Sequence, residues 1–219
     1  MIINEFEHKT DNNKFIIKSY IDSIKTCKVE HDYELTSYYC ETGCKNYRGK
    51  YSCPPFSDNF SNLEDKYGSM VVLAFVIPYI DVEKTFNMVK AANVICKTKQ
   101  RHVLDKMAKN FKGYKILENG SCRLCKTCAL QTKEPCRHPD KMRYSLESTG
   151  VRVDKLVKKL FNIDLNWYYK GQKDNFPQFQ CVVSGILTND PEYVKDYLSL
   201  TVNNQLKQPK PVNLFKGII

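Results

Sequence analysis

Residues 70–77, MVVLAFVI, form a continuous apolar run, rich in β-branched and aromatic side chains, that ends at Pro78. A strand exposed on one face alternates apolar with polar residues, whereas a strand covered on both faces need not. This run therefore predicts a central strand with a layer packed on each side. Two further segments have the same character: Phe179 to Leu187, FQCVVSGIL, expected beside the first, and the shorter Tyr114 to Glu118, YKILE, which Asn119 and Gly120 turn into a loop. Helical spacing fills the intervals. Val82, Phe86, Val89, Ala92, Cys96, Val103 and Met107 follow an N-cap at Asp81 and predict one long helix, or two broken near Lys97 to Gln100. Val153, Leu156, Val157, Leu160 and Phe161 predict another, and Asp190 with Pro191 opens a last one. The expected fold is α/β of the α+β kind: a small central sheet flanked by helices, with cysteine-rich loops holding metal at one edge.

Outside this frame the reading is coarser. Phe15, Ile17, Tyr20, Ile21 and Ile24 step by two to four residues and suggest a short amphipathic helix. The first dozen residues are polar and expected to be loose, and the polar, proline-containing tail from Thr201 is expected to pack loosely or reach to a partner. The stretch from His31 to Cys40, with Tyr33, Tyr38 and Tyr39, reads as irregular or extended chain, and Asp140 to Glu147 as a helix stopped at Gly150. A length of 219 residues suits one domain, 1–219, with a cysteine-rich lobe at about 40–55 and 119–150.

The ten cysteines carry the chemistry. No apolar run approaches the roughly twenty residues of a membrane span, and the N-terminus lacks the pattern of a signal peptide. The expectation is a cytoplasmic protein, whose thiols stay reduced and serve metal or redox chemistry rather than disulfides. Cys122, Cys125, Cys128 and Cys136 lie in CRLCKTCALQTKEPC, a C-x2-C-x2-C triplet followed after seven residues by a fourth cysteine. Thiolates select soft metals, and the triplet is the spacing with which short loops wrap a [4Fe-4S] cluster; zinc more often takes two separated C-x2-C pairs. The spacing leaves open whether Cys136 closes this site. Cys40, Cys44 and Cys53 form a second group, CETGCKNYRGKYSCPP, where Gly43 and Gly49 are expected to supply left-handed turns. Three ligands leave a cubane one short. Either a remote Cys136, Cys27 or Cys181 completes it, or one iron stays open to a substrate. The eight residues between Cys44 and Cys53 exclude the radical-forming C-x3-C-x2-C spacing. Cys27, Cys96 and Cys181 sit in apolar-periodic surroundings and read as buried thiols.

The formal charge of +10 does not point to nucleic acid, because lysines are scattered without a basic helix stripe or aromatic stacking motif. Arg123, Arg137, Arg143 and Arg152 cluster around the cysteines, where their forked donors are expected to offset an anionic cluster or grip an anionic ligand. If the protein is an enzyme, Arg143, Glu147 and His138 are the candidates for anion binding and proton transfer. No dinucleotide or phosphate-binding glycine loop is present, so an electron donor would be external.

Together, C-x3-C-x8-C-P-P, C-x2-C-x2-C-x7-C-R-H-P and R-Y-S-L-E-S-T-G-V-R-V resemble a family of predicted metal-binding proteins of anaerobic bacteria and archaea, domain of unknown function family 2284. The resemblance runs from about Cys40 to Asp154. It implies metal ligation by Cys40, Cys44, Cys53, Cys122, Cys125, Cys128 and Cys136, with Arg137, Pro139, Ser145, Glu147 and Gly150 as signature positions. Three functions are consistent with these residues: a carrier of one or two [4Fe-4S] clusters working with a redox partner protein, an enzyme using an open iron on a small anionic substrate, and a zinc-stabilised binding module.

Overall fold

A computed structural model describes residues 1–10, 14–79, 85–110, 113–167 and 176–206. Strand β3, Ser69–Pro78, runs through the middle of a six-stranded sheet, buried along nearly its whole length. Its side chains alternate between two cores. Val71, Leu73, Phe75 and Ile77 enter one, Met70, Val72 and Ala74 the other. The strand expected beside it is β6, Phe179–Thr188, antiparallel to β3 with Ala74 opposite Val183. Strand β4, Lys115–Glu118, pairs with the far side of β6.

The other side of β3 departs from expectation. Residues 14–25 form strand β2, Lys14–Lys25, not a helix, and β1, Ile2–Lys9, pairs with it as an ordered edge strand rather than a loose end. The reason lies in the two covered faces of the sheet. Phe15, Ile17 and Ile21 face one core while Tyr20 and Ile24 face the other. Two period-two sets superimposed on one strand give the two-to-four stepping of a helix. The last strand, β5, is Tyr144–Ser145, parallel to β4, so that the sheet order is β1-β2-β3-β6-β4-β5.

Helix α3, Phe86–Asn110, is continuous through Lys97–Gln100 and packs with α5, Pro191–Leu206, over one face of the sheet. The expected cap Asp81 and Val82 lie outside the described residues. Helix α5 continues past Thr201 to Leu206, with Val202 buried, so this first part of the tail is packed rather than loose; residues 207–219 lie outside the described residues. Asp190 caps it, its carboxylate accepting from the Tyr193 amide at 3.2 Å. On the opposite face lie α4, Val153–Phe161, and the short α2, Ser61–Glu64, with Phe60 buried.

Residues 33–43 form helix α1, Tyr33–Gly43, rather than extended chain. Asp32 starts it by accepting from the Leu35 amide at 2.9 Å, while Tyr38 and Tyr39 stay exposed and so contribute no strand-like packing. The helix expected over Asp140–Glu147 is absent. Ser145 and Ser148 each accept the other's backbone N–H at 3.0 Å, and this local exchange displaces the helical pattern. A 3-10 turn, Glu147–Thr149, follows and ends at Gly150 with φ +98°. Among the described residues, no helix is long and apolar enough to cross a membrane.

Candidate metal centre

Helix α1 delivers the first cysteine group. Cys40 lies in its last turn and Cys44 caps its C-terminus, its amide donating to the Cys40 carbonyl at 3.0 Å. Successive turns then lead to Cys53, whose amide donates to the Lys50 carbonyl at 3.0 Å and whose carbonyl accepts from Phe56 and Ser57. The left-handed residue in this loop is Arg48, φ +53°, bonded to the Pro54 carbonyl; Gly43 ends the helix, and neither it nor Gly49 takes the expected positive φ. Cys44 and Cys53 lie near enough to Cys40 for their charge to act on its thiol. Burial pushes the Cys40 thiol up to about 11, and Cys44, Cys53 and Glu147 add to the shift. Burial also raises Cys53; the neighbouring Ser52 hydroxyl and Lys50 oppose this, while Cys44 and Cys128 reinforce it. Cys53 therefore feels the charge of both its own group and the second.

The second group hangs from the end of β4. A 3-10 turn, Ala129–Thr132, and a left-handed Lys133 reverse the chain, the Glu134 amide returning to the Ala129 carbonyl at 3.0 Å. The reversal brings Cys136 back to the triplet: Cys122, Cys125, Cys128 and Cys136, all half-buried, line one cavity. Arg137 clasps this loop, donating to the Thr127 carbonyl at 3.1 Å and to Glu134 at 3.2 Å. Glu134, and after it the Cys125 sulfur, hold the guanidinium protonated.

Three consecutive side chains join the two groups. Lys50 Nζ donates to the Cys122 carbonyl at 2.9 Å and to Ser121 Oγ at 3.2 Å. Tyr51 donates to the Glu134 carbonyl at 2.8 Å, and Ser52 Oγ accepts from the Cys122 amide at 3.0 Å. Sequence reasoning missed this latch, because nothing in a Lys-Tyr-Ser triplet announces a partner some seventy residues away.

The other expected residues disperse. Arg143 binds Asp105 at 2.8 Å and Glu118 at 2.6 Å and, with Arg101 and Arg123, lines a separate cavity of about 170 Å³ next to Cys122. Arg152 forks onto Asp154 at 3.1 and 2.8 Å. His138 is exposed on the rim of the four-cysteine cavity, while Glu147 lies beside Cys40. The three catalytic candidates thus occupy three different cavities. Cys96 is fully buried as expected, and Cys181 half-buried. Cys27 is exposed, because Thr26 takes the inward position of its turn and donates to the Tyr67 carbonyl at 2.6 Å.

A donor set made only of thiols suits a soft metal, and four of them lining one cavity fit such a group. Among the described residues, no three His, Cys, Asp or Glu side chains converge tightly enough to grasp a single ion directly. The sequence matches the family described as predicted metal-binding protein, DUF2284, over residues 22–183, a span containing both cysteine groups and the latch between them. No curated protein and no solved structure matches the chain. The chain belongs to the DUF2284 family of predicted metal-binding proteins.

Proposed function

We propose that this is an iron–sulfur protein of cytoplasmic redox metabolism. In this reading Cys122, Cys125, Cys128 and Cys136 hold a [4Fe-4S] cluster, and Cys40, Cys44 and Cys53 contribute to a second. The observation that carries the reading is the shared cavity, which gathers four sulfur donors from one short loop and includes Cys136 despite its seven-residue offset. A bound cluster would supply one-electron chemistry. The chain's own part is ligation and electrostatics: Arg137 at Cys125 and Lys50 near Cys53 place positive charge beside the sulfurs, which favours the more anionic reduced state. The Cys122 amide is already committed to Ser52 and is not free to donate to a sulfide.

A protein partner for electron exchange fits the exposed apolar side chains close in sequence to the ligands: Tyr38 and Tyr39 before Cys40, Phe56 after Cys53, and Leu124 inside the triplet. Nucleic acid is not part of the reading. A second reading, an enzyme whose first site keeps one position for a small substrate, is favoured by the placement of Cys136 with the other group, which leaves Cys40, Cys44 and Cys53 without it.

Oxygen-free purification followed by iron, sulfide and zinc determination tests the proposal. About four iron and four sulfide per chain for one site, or twice that for two, with a paramagnetic signal on reduction, is the expected result. Zinc without sulfide would overturn it in favour of a structural zinc site with four thiolate ligands. Cys53→Ser should lower iron content; unchanged iron removes the first site from the proposal. A cluster spectrum perturbed by cyanide would select the open-site enzyme over the carrier.

A further inference from the structure

The cavity of about 170 Å³ beside Cys122 lies between α3, the end of β4 and the start of the second cysteine loop. By the liquid share of a water molecule it has room for about five waters, enough for a small organic acid. Five charged side chains line it: Arg101, Asp105, Glu118, Arg123 and Arg143. Three guanidiniums against two carboxylates leave a surplus of one positive charge.

The ion pairs of the wall locate that surplus. Both carboxylates are taken by Arg143, whose Nη1 donates to Asp105 Oδ1 at 2.8 Å and to Glu118 Oε1 at 2.6 Å. Arg101 Nη2 stands 3.7 Å from Glu118 Oε2, an ion pair too long to be a hydrogen bond. Among the described residues, Arg123 makes neither a hydrogen bond nor an ion pair. The charges that act on it are those of Arg101 and then Glu118, both in the wall of this cavity, so its guanidinium stands on the cavity side. Two like-charged forks therefore share one recess with their N–H donors unspent on the protein.

We infer that this cavity binds a small monocarboxylate, its carboxylate held by Arg101 and Arg123 and its short apolar part set against Leu124. A planar carboxylate accepts two parallel bonds from a guanidinium fork, and two forks supply donors for both of its oxygens. The charge count fixes the valence. One negative charge cancels the surplus, whereas a dianion such as sulfate brings a second charge up against Asp105 and Glu118. Leu124, exposed and part of the same wall, offers the apolar contact that an inorganic anion would not use. Cys122 and Leu124 line the four-cysteine cavity as well, which sets the acid on the flank of the metal loop. The inference rests on the arginines and is independent of which metal the cysteines hold.

The test is calorimetric titration of the full chain, purified without oxygen and carrying its metal, with acetate, propionate, acetamide and sulfate. Acetate and propionate should bind saturably at one site, and sulfate and the uncharged acetamide at least tenfold more weakly. Arg123→Gln and Arg101→Gln should each weaken acetate at least tenfold. Arg123→Lys, which keeps the charge and loses the fork, should still bind acetate several-fold more weakly than the parent. Lys155→Gln, on the exposed face of α4, should change nothing, and circular dichroism with metal content confirms that each variant is folded and loaded. Absence of saturable acetate binding at millimolar concentration would overturn the inference. So would sulfate or acetamide binding as tightly as acetate, or an acetate affinity unchanged in Arg123→Gln and Arg101→Gln, which would place the acid elsewhere, the metal included.

Discussion

Gly150→Ala should be among the most damaging single-methyl changes in this chain, and the structure gives its size. Gly150 sits at φ +98°, where a residue with a Cβ is strained by about 1–3 kcal/mol. The added Cβ would meet the Tyr33 Cα and N at 3.0 Å and the Tyr33 Cβ at 3.2 Å, so backbone rather than a flexible side chain must give way. The same contact holds the start of α1: the Gly150 carbonyl accepts from the Asp32 amide at 2.7 Å, a bond whose loss costs about 1 kcal/mol. Strain and lost bond together predict a destabilisation of about 2–4 kcal/mol, read as a lower urea midpoint at unchanged slope. Because α1 carries Cys40 and Cys44, bound metal should fall as well. Gly43→Ala is the internal control: nothing lies within 4 Å of its Cβ position and it ends a helix, so the change should be neutral or stabilising by up to about 1 kcal/mol. A Gly150→Ala variant within about 1 kcal/mol of the parent would refute both the left-handed geometry and the docking of α1 on this turn.

Gln100→Leu strips the Leu73 and Val182 carbonyls and the Asn119 amide of their shared partner, and should cost about 2–5 kcal/mol in urea unfolding with a loosened β3–β6 pair by hydrogen exchange. His8 is held below its ordinary value of 6.5, first by burial and then by Lys99. With the folded value below the unfolded one, the unfolded chain takes up the proton first, so stability is intact above pH 6.5 and declines as pH falls through the unfolded and then the folded value. His8→Gln should flatten that decline in urea titrations between about pH 7.5 and 5, and an unchanged slope would show that His8 is not its source. Lys50→Met removes two hydrogen bonds to the Ser121–Cys122 corner and a charge near Cys53, and should release metal to a chelator several-fold faster, whereas Arg143→Met should not.

Much of the frame was legible because its signals are local. Residues 70–77 and 179–187 are buried on both faces and say so in their composition, and α3 and α4 keep their apolar spacing throughout. The N-terminal hairpin was not legible, because Tyr20 and Ile24 answer to a different core from Phe15, Ile17 and Ile21, and a single sequence does not say which core each serves. Helix α1 hid behind tyrosines that remain in solvent. The cysteine groups stood out by spacing alone, but their mutual position did not, since it depends on side-chain bonds between segments far apart in sequence. Two of the four clustered arginines have carboxylate partners: Arg143 pairs with Asp105 and Glu118, which are remote in sequence, and Arg152 with Asp154 two residues on, while Arg137 stays at the cysteine loop.

The spacing of the first group now has a physical account. Eight residues between Cys44 and Cys53 are more than a loop needs to bring two thiols together, and the surplus is where Lys50, Tyr51 and Ser52 stand. Each of the three reaches a different point on the second loop: one carbonyl with a hydroxyl, another carbonyl, and an amide. All bond to neutral groups of the partner loop, and the Lys50 ammonium also acts on the Cys53 thiol as a field. A shorter spacing would preserve three cysteines and lose the contact with the other four. The long loop is therefore better understood as the part of the first group that belongs to the second, and it makes Cys53, the residue next to the latch, a thiol on which the charge of both groups acts.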